Sequence, residues 1–292
     1  MEELQIETLQ EILKNGGNVI KTRDDRELIS FDKDGKVLNT KDCGWLPDTE
    51  DSVANNNIFR SRIEPWLTSL FQSEHLSLLC GSGITNAISI LAGAGSGTTM
   101  GGATFTNYKN EIETAAQESA KASGRENGNI EDQIRTANDL LRGLKILGET
   151  DKAQTLEQEL NSIVSEFAIS ILKSEKGIAV AVEEKRENAY RVLVNFLLSF
   201  ASRTGNKERL NIFTTNYDRL IEIGAELAGI HLMDRFVGTM MPIFRSSRLN
   251  LDIHYNPPGI RGEPRYLEGV ARLTKLPGSV DWVQYGEEIR RI

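Results

Sequence analysis

The segment Leu76-Ser77-Leu78-Leu79-Cys80 is short, nearly all apolar, and ends in a tight glycine turn, Gly81-Ser82-Gly83. Helical spacing resumes at once through Ala87, Ile88, Ile90 and Leu91. A strand that runs through a glycine turn into a helix opens a βαβ unit, because the helix carries the chain back to the edge where a parallel strand must start. Near-continuous apolarity further predicts a strand covered on both faces. The pattern returns far downstream: Leu210-Asn211-Ile212-Phe213-Thr214-Thr215 reads as a strand, stops at Asn216-Tyr217-Asp218, and gives way to helical spacing through Leu220, Ile221, Ile223 and Leu227. Two such units predict an α/β fold with a Rossmann-like parallel sheet.

Between the two units the sequence is helical almost throughout, from about 110 to 202. It contains no proline there, and apolar residues recur at Leu140, Leu141, Leu144 and Leu147, then at Ile163, Phe167, Ile169 and Leu172. Breaks are predicted at Ser123–Gly128 and near Lys176-Gly177. This is a large helical insertion in the sheet domain. Ahead of that domain, Glu3–Leu13 has helical spacing, and short strands are predicted at Val19–Thr22 and Glu27–Phe31. A hairpin turn at Asp34-Gly35 leads into Lys36–Leu38. A polar stretch carrying Pro47 follows, so residues 1–56 form a small N-terminal α/β appendage and residues 57–292 the main domain, opening on an amphipathic helix at Ile58–Phe71. From Met240 onward the chain holds five of its seven prolines and reads as loop, with one late strand near Tyr266–Leu276.

Composition narrows the function classes. Against 42 Asp+Glu stand 34 Lys+Arg, a net charge of −8, so direct nucleic-acid binding through the whole surface is not expected. The N-terminus is acidic where a signal peptide is basic, and no apolar run reaches membrane-spanning length, which predicts a cytoplasmic protein without membrane attachment. Cys43 and Cys80 supply neither a disulfide framework nor a four-ligand zinc site, and no metal is expected.

Four segments could carry chemistry. Glycines at 81 and 83 let the backbone approach a ligand, and the helix that follows offers free N–H groups to an anion such as pyrophosphate. A plain tight turn accounts for them equally well, since Asn86 stands where a dinucleotide fingerprint has its third glycine. Gly93–Gly102 looks like a phosphate loop but lacks the lysine and follows a helix, so a glycine-rich loop is favoured. Thr214–Asp218 leaves the carboxyl end of a buried strand, the edge where open α/β sheets bind ligands, although Asn216 and Asp218 also suit helix caps. Lys275–Trp282 reads as a turn followed by a strand with a half-buried tryptophan.

Taken in order, the glycine turn, "IFTTNYD" at 212–218 and "KLPGSVDW" at 275–282 resemble the sirtuin-like domains of bacterial anti-phage defence proteins, remote relatives of sirtuin deacylases that hydrolyse NAD. "NIED" at 129–132 is similar to a recurrent stretch of those domains, and the resemblance spans roughly 58–285. It implies an NAD glycohydrolase of abortive-infection defence, with NAD as substrate. It also implies a cradle for the dinucleotide at Gly81, Ser82, Gly83 and Thr85, with Thr215, Gly278 and Ser279 as further contacts. Asn216 maps beside the scissile nicotinamide ribose, and Asp218 to support of its loop. The family has a histidine before Gly-Ser, and this chain has Pro277, which has no titratable group. None of His75, His231 and His254 is positioned to replace it, so the resemblance also allows a catalytically inactive nucleotide-binding regulatory or scaffold module of a defence complex. A deacylase is disfavoured by the missing histidine and the missing four-cysteine module. Family members continue past the Gly-Ser segment with further strands, and here ten residues follow Trp282, so a C-terminally incomplete domain is expected. The resemblance further implies a homo-oligomer and control by a defence-system partner or a missing C-terminal sensor domain.

Overall fold

The structure, a computed structural model, describes residues 11, 14–15, 17–20, 29–32, 56–95, 101–202, 207–247, 251–255 and 265–292. The chain forms two compact units, Met1–Ser73 and Glu74–Ile292. In the first, β1 (Asn18–Ile20) and β2 (Ile29–Phe31) pair antiparallel, Asn18 opposite Phe31. Ile29 and Phe31 are buried, as their apolar character requires. Helix α1 (Asn56–Phe71) belongs to this unit, so the division falls after the amphipathic helix expected to open the main domain. The predicted turn at Asp34-Gly35, the strand at Lys36–Leu38 and all of the Glu3–Leu13 helix except Glu11 lie outside the described residues.

The second unit begins with β3 (Ser77–Cys80) and α2 (Ser82–Ala92). Four long helices follow, α3 (Lys109–Ala122), α4 (Ile130–Ile146), α5 (Thr150–Ala179) and α6 (Glu183–Ala201). Then come β4 (Leu210–Thr214), α7 (Leu220–Leu227) and β5 (His231–Met233). The remainder is β6 (Phe236–Val237), β7 (Ile243–Phe244), β8 (His254–Tyr255), β9 (Arg265–Tyr266), β10 (Val270–Lys275), β11 (Trp282–Tyr285) and β12 (Glu288–Arg291). The main sheet has the order β3-β4-β10-β5 and is parallel throughout, consistent with a Rossmann-like core. Its register positions everything that follows. Cys80 lies beside Thr214 and Thr214 beside Lys275, so three strands end level and the segments that leave them emerge together at one edge.

Helix α2 packs on α6, and α6 on α7, through Ile88, Leu193, Leu197 and Ala225, all buried. The helical insertion has its own core, in which Phe105, Ile112, Leu141, Leu156 and Leu160 meet between α3, α4 and α5. Asn129 caps α4 by accepting from the Asp132 N–H at 3.0 Å, while the Asp132 carboxylate accepts from the Asn129 N–H at 3.1 Å.

Three expectations need correction. Strand β3 is not covered on both faces: it is the edge strand, with Leu78 and Cys80 buried but Ser77 and Leu79 exposed. The break expected near Lys176-Gly177 falls slightly later: α5 runs through Gly177 to Ala179, and α6 starts at Glu183. One glycine costs a helix about 1 kcal/mol, too little to interrupt a long packed helix; at Gly177 an added Cβ would lie 3.5 Å from the Ala94 Cβ. A further break, not expected from the sequence, falls at Gly148, left-handed at φ 76°. The tail is more than loop and one strand. Strands β11, β12, β7 and β6 form a small antiparallel sheet in that order, built over the rings of Phe236, Phe244 and Trp282, whose centroids lie 5.0–5.7 Å apart. The alternation of Trp282–Arg291 about Gly286 (φ 62°) is the hairpin signal that the proline count obscured. Among the described residues no helix is long and apolar enough to cross a membrane.

Candidate functional site

The level ends of β3, β4 and β10 bring three loops together, and buried hydrogen bonds lock them. Asn216 follows β4 and is 7 % exposed. Its backbone N–H donates to Thr214 Oγ1 at 3.1 Å, and its Nδ2 donates to the Gly81 carbonyl and to Thr85 Oγ1, both at 2.9 Å. A carbonyl can only accept, so the NH2 group must face Gly81. Asn216 Oδ1 is then on the side away from the Gly81 carbonyl and Thr85 Oγ1. Thr85 Oγ1 donates to Asp218 Oδ2 at 2.6 Å, and Asp218 Oδ1 accepts the Leu220 N–H at 3.1 Å, a tight turn just ahead of α7, whose N-cap residue is Arg219. Asn216 is therefore held by atoms of the glycine turn and α2, and neither Asn216 nor Asp218 is the N-cap residue of α7.

The segment after β10 clamps the same loop from the other side. Leu276 N–H donates to the Thr214 carbonyl at 2.9 Å, and the Tyr217 carbonyl accepts from Val280 N–H at 3.1 Å and from Ser279 Oγ at 3.2 Å. Lys275, its side chain 3 % exposed, donates to the Asp218 carbonyl and forms an ion pair with Glu222 at 2.9 Å. Burial pushes the Glu222 carboxyl above its usual range, against the pull of Lys275.

Over this edge lies a cavity of about 400 Å³, within the range of small-molecule sites. One wall is polar and comes from the sheet domain: Ser82, Thr85, Thr215, Asn216 and Asp218. The facing wall comes from the helical insertion and is mixed: Phe167, Ile171 and Ile178 of α5 are apolar, while Asn129, Glu131, Ser174 and Glu175 bring polar and charged groups. Tyr217, Leu220, Leu276 and Pro277 complete the lining. Tyr217 joins the walls: its hydroxyl donates to Glu131 Oε1 at 2.8 Å, and its ring meets Phe167 edge-on at 5.5 Å. Burial first, then the Glu131 carboxylate, pushes its phenol above the usual range, so Tyr217 stays a proton donor at neutral pH. Glu175 accepts the Arg219 N–H at 2.6 Å and pairs with its guanidinium, which ties α5 to the start of α7. At the N-terminus of α2, Gly81 is extended (φ −114°) and no side chain caps the helix. Its first N–H groups are left for an anion.

Of the residues singled out in the sequence, Ser82, Thr85, Thr215, Asn216 and Asp218 line the cavity together. Gly81 contributes its carbonyl to Asn216. Gly83 stands in the first turn of α2 with no atom within 4 Å of where a Cβ would be. Gly278 (φ 105°) and Ser279 do not line the cavity; they form the clamp on Tyr217. Pro277 does line it. None of the lining residues is a histidine: His75 pairs with Glu208 at 2.7 Å, His231 is on β5 and His254 on β8. Part of the glycine-rich loop, 96–100, lies outside the described residues, and Gly93 is the left-handed cap of α2. Sequence reasoning missed Phe167, Ile171, Glu175 and Lys275. Their helical and strand spacing marked them only as faces of their elements. "NIED" resolves into parts: Asn129 caps α4, Glu131 takes the tyrosine, and Asp132 binds Arg125 at 2.8 Å. Among the described residues no group of three or more His, Cys, Asp or Glu side chains could hold a metal ion. No protein-family model matches the chain, and no curated protein matches it.

Proposed function

We propose that this cavity binds NAD and that the chain is an NAD glycohydrolase of cytoplasmic anti-phage defence, slowed by the proline at 277. One observation carries the reading. The segments that resemble the sirtuin-like domains, far apart in sequence, converge on one cavity through Ser82, Thr85, Thr215, Asn216, Asp218 and Pro277. An uncapped helix N-terminus suits the pyrophosphate, and the Asn216 amide, its Nδ2 committed to Gly81 and Thr85, can offer Oδ1 to a ribose hydroxyl or a water proton.

The chemistry asks little more of the residues present. Nicotinamide in NAD is a cationic leaving group: the electrons of the C1′–N bond return to its ring, and nicotinamide departs neutral without a general acid. The ribose develops oxocarbenium character, as in glycoside hydrolysis. Water attacks C1′, loses a proton to solvent, and leaves ADP-ribose. The protein's tasks are to hold the ribose, exclude bulk water behind Phe167 and Ile171, and place one water. A histidine taking that proton typically contributes about 10²–10⁴-fold, and Pro277 cannot.

The second reading, a nucleotide-binding regulatory module without chemistry, is favoured by the same proline and by the absence of a lining histidine. Calorimetry with NAD and turnover of its fluorescent etheno analogue, in the wild type and in Pro277→His, separate the two. The hydrolase reading expects binding in both, slow turnover in the wild type and about 10²–10⁴-fold more in the variant. Binding with no turnover in either supports the module. No binding at millimolar NAD rejects both.

A further inference from the structure

We infer that Lys275 is the positioning residue for Asn216: a buried ammonium outside the cavity that sets the loop on which a bound ligand depends. The inference rests on the nucleotide-binding reading only in its affinity arm.

The geometry is a chain of contacts. Lys275 closes β10 and is itself not among the cavity's lining residues. Its Nζ donates to the Asp218 carbonyl and to Glu222 Oε1. Asp218, held by its backbone, presents its carboxylate to Thr85 Oγ1, and Thr85 Oγ1 in turn accepts from Asn216 Nδ2. Each link is short, buried or half-buried, and has one donor and one acceptor, so where Asp218 stands sets Thr85 Oγ1, which with the Gly81 carbonyl holds the Asn216 amide. Lose the ammonium and the Asp218 carbonyl loses a charge-assisted bond at a site with little water to replace it.

An ammonium is a costly way to hold a loop if folding were its only task. Replacing a buried ion pair by apolar groups of similar size is often neutral for stability, whereas methionine in place of Lys275 cannot donate to Asp218. Glu222 is the ammonium's second acceptor, at 2.9 Å. It is surrounded by Lys275 on β10, Arg219 before α7 and Asp281 before β11, and its Oε1 is the oxygen that meets Lys275.

The test uses the full chain as Lys275→Met, Glu222→Gln and wild type. Hydrogen exchange of the Asn216 side-chain NH2, followed by NMR on asparagine-labelled protein without ligand, reads position directly. NAD affinity is measured by calorimetry in parallel. We expect the Lys275→Met amide to exchange at least tenfold faster and NAD to bind at least tenfold more weakly, with cooperative unfolding retained. Glu222→Gln, which keeps an acceptor for Lys275, should stay within threefold of wild type in both. Unchanged Asn216 exchange in Lys275→Met overturns the inference and leaves NAD binding standing. Faster exchange in a protein that binds no NAD upholds the positioning role and rejects the ligand. Should Lys275→Met fail to fold, Lys275→Gln takes its place: its neutral side chain ends short of the ammonium and gives up the charge-assisted bond to the Asp218 carbonyl. Asn216 exchange within threefold of wild type in that variant overturns the inference.

Discussion

Gly83→Ala separates the fold of the glycine turn from its use. Gly83 lies in the first turn of α2, its φ is outside the left-handed region, and no atom stands within 4 Å of the added Cβ. Alanine there should stabilise the apo protein by roughly 0.5 kcal/mol, since it narrows the unfolded ensemble and favours helix. For a chain of this size that raises Tm by about 1–2 °C. The ligand would see the opposite. If the NAD phosphates rest on the α2 N-terminus, a methyl group intrudes where the backbone must come close, and a tenfold loss of affinity, about 1.4 kcal/mol, is expected. At an NAD concentration of about 100 times the wild-type Kd, ligand stabilises wild type by about 2.7 kcal/mol. For a tenfold weaker variant the same arithmetic leaves about 1.4 kcal/mol. Denaturant unfolding with and without NAD resolves that difference. An apo protein at least as stable as wild type, with half the ligand-induced gain, is the expected pair of results. An undiminished gain would refute the placement of phosphates at this turn, and a destabilised apo protein would refute the open space beside Gly83.

Gly224→Ala is the counterpart with no room: its Cβ would stand 2.7 Å from Leu193 Cγ and 2.8 Å from Leu197 Cδ1. Overpacking between α6 and α7 should cost about 1–3 kcal/mol, measured by urea unfolding. Asp132 is held below the usual carboxylate range, chiefly by its hydrogen bond from Arg125. A carboxyl with a depressed folded pKa adds stability above its unfolded pKa and loses it as pH falls through the folded one. Wild type should thus lose stability on acidification below about pH 4 in a step that Asp132→Asn lacks, as followed by circular dichroism. Tyr217→Phe should cost about 1 kcal/mol by removing the donor to Glu131. Its alkaline absorbance titration should match wild type through the ordinary phenol range, because Tyr217 does not ionise there. A missing phenol in that range would count against the Tyr217–Glu131 bond.

Much of this architecture is legible in local pattern. Leu76–Cys80 and Leu210–Thr215 read as strands because apolar runs bounded by turn residues can do little else, and both fold so. The proline-free stretch from 110 to 202 reads as helices for the same kind of reason, while the capping box of Asn129 and Asp132 emerges only in the structure. Errors fall where a local signal competes with packing. Gly177 is a helix breaker in isolation but is carried by α5, and Leu79 is apolar yet lies on an uncovered edge strand. The tail's short strands were masked by prolines, whose turns connect strands as readily as they end them.

The sequence by itself determined which elements form and which residue types stand at the turns after β3, β4 and β10. Periodicity and turn chemistry act over a few residues and need no distant partner. Only the tertiary structure decided that Cys80, Thr214 and Lys275 end level, and hence that Gly81 meets Asn216 across 135 positions of chain. Register comes from the packing of whole faces, so no local signal carries it. The same holds for the apolar wall of α5, for Lys275 behind the loop, and for the separation of Ser279 from the cavity: each depends on where rigid elements dock.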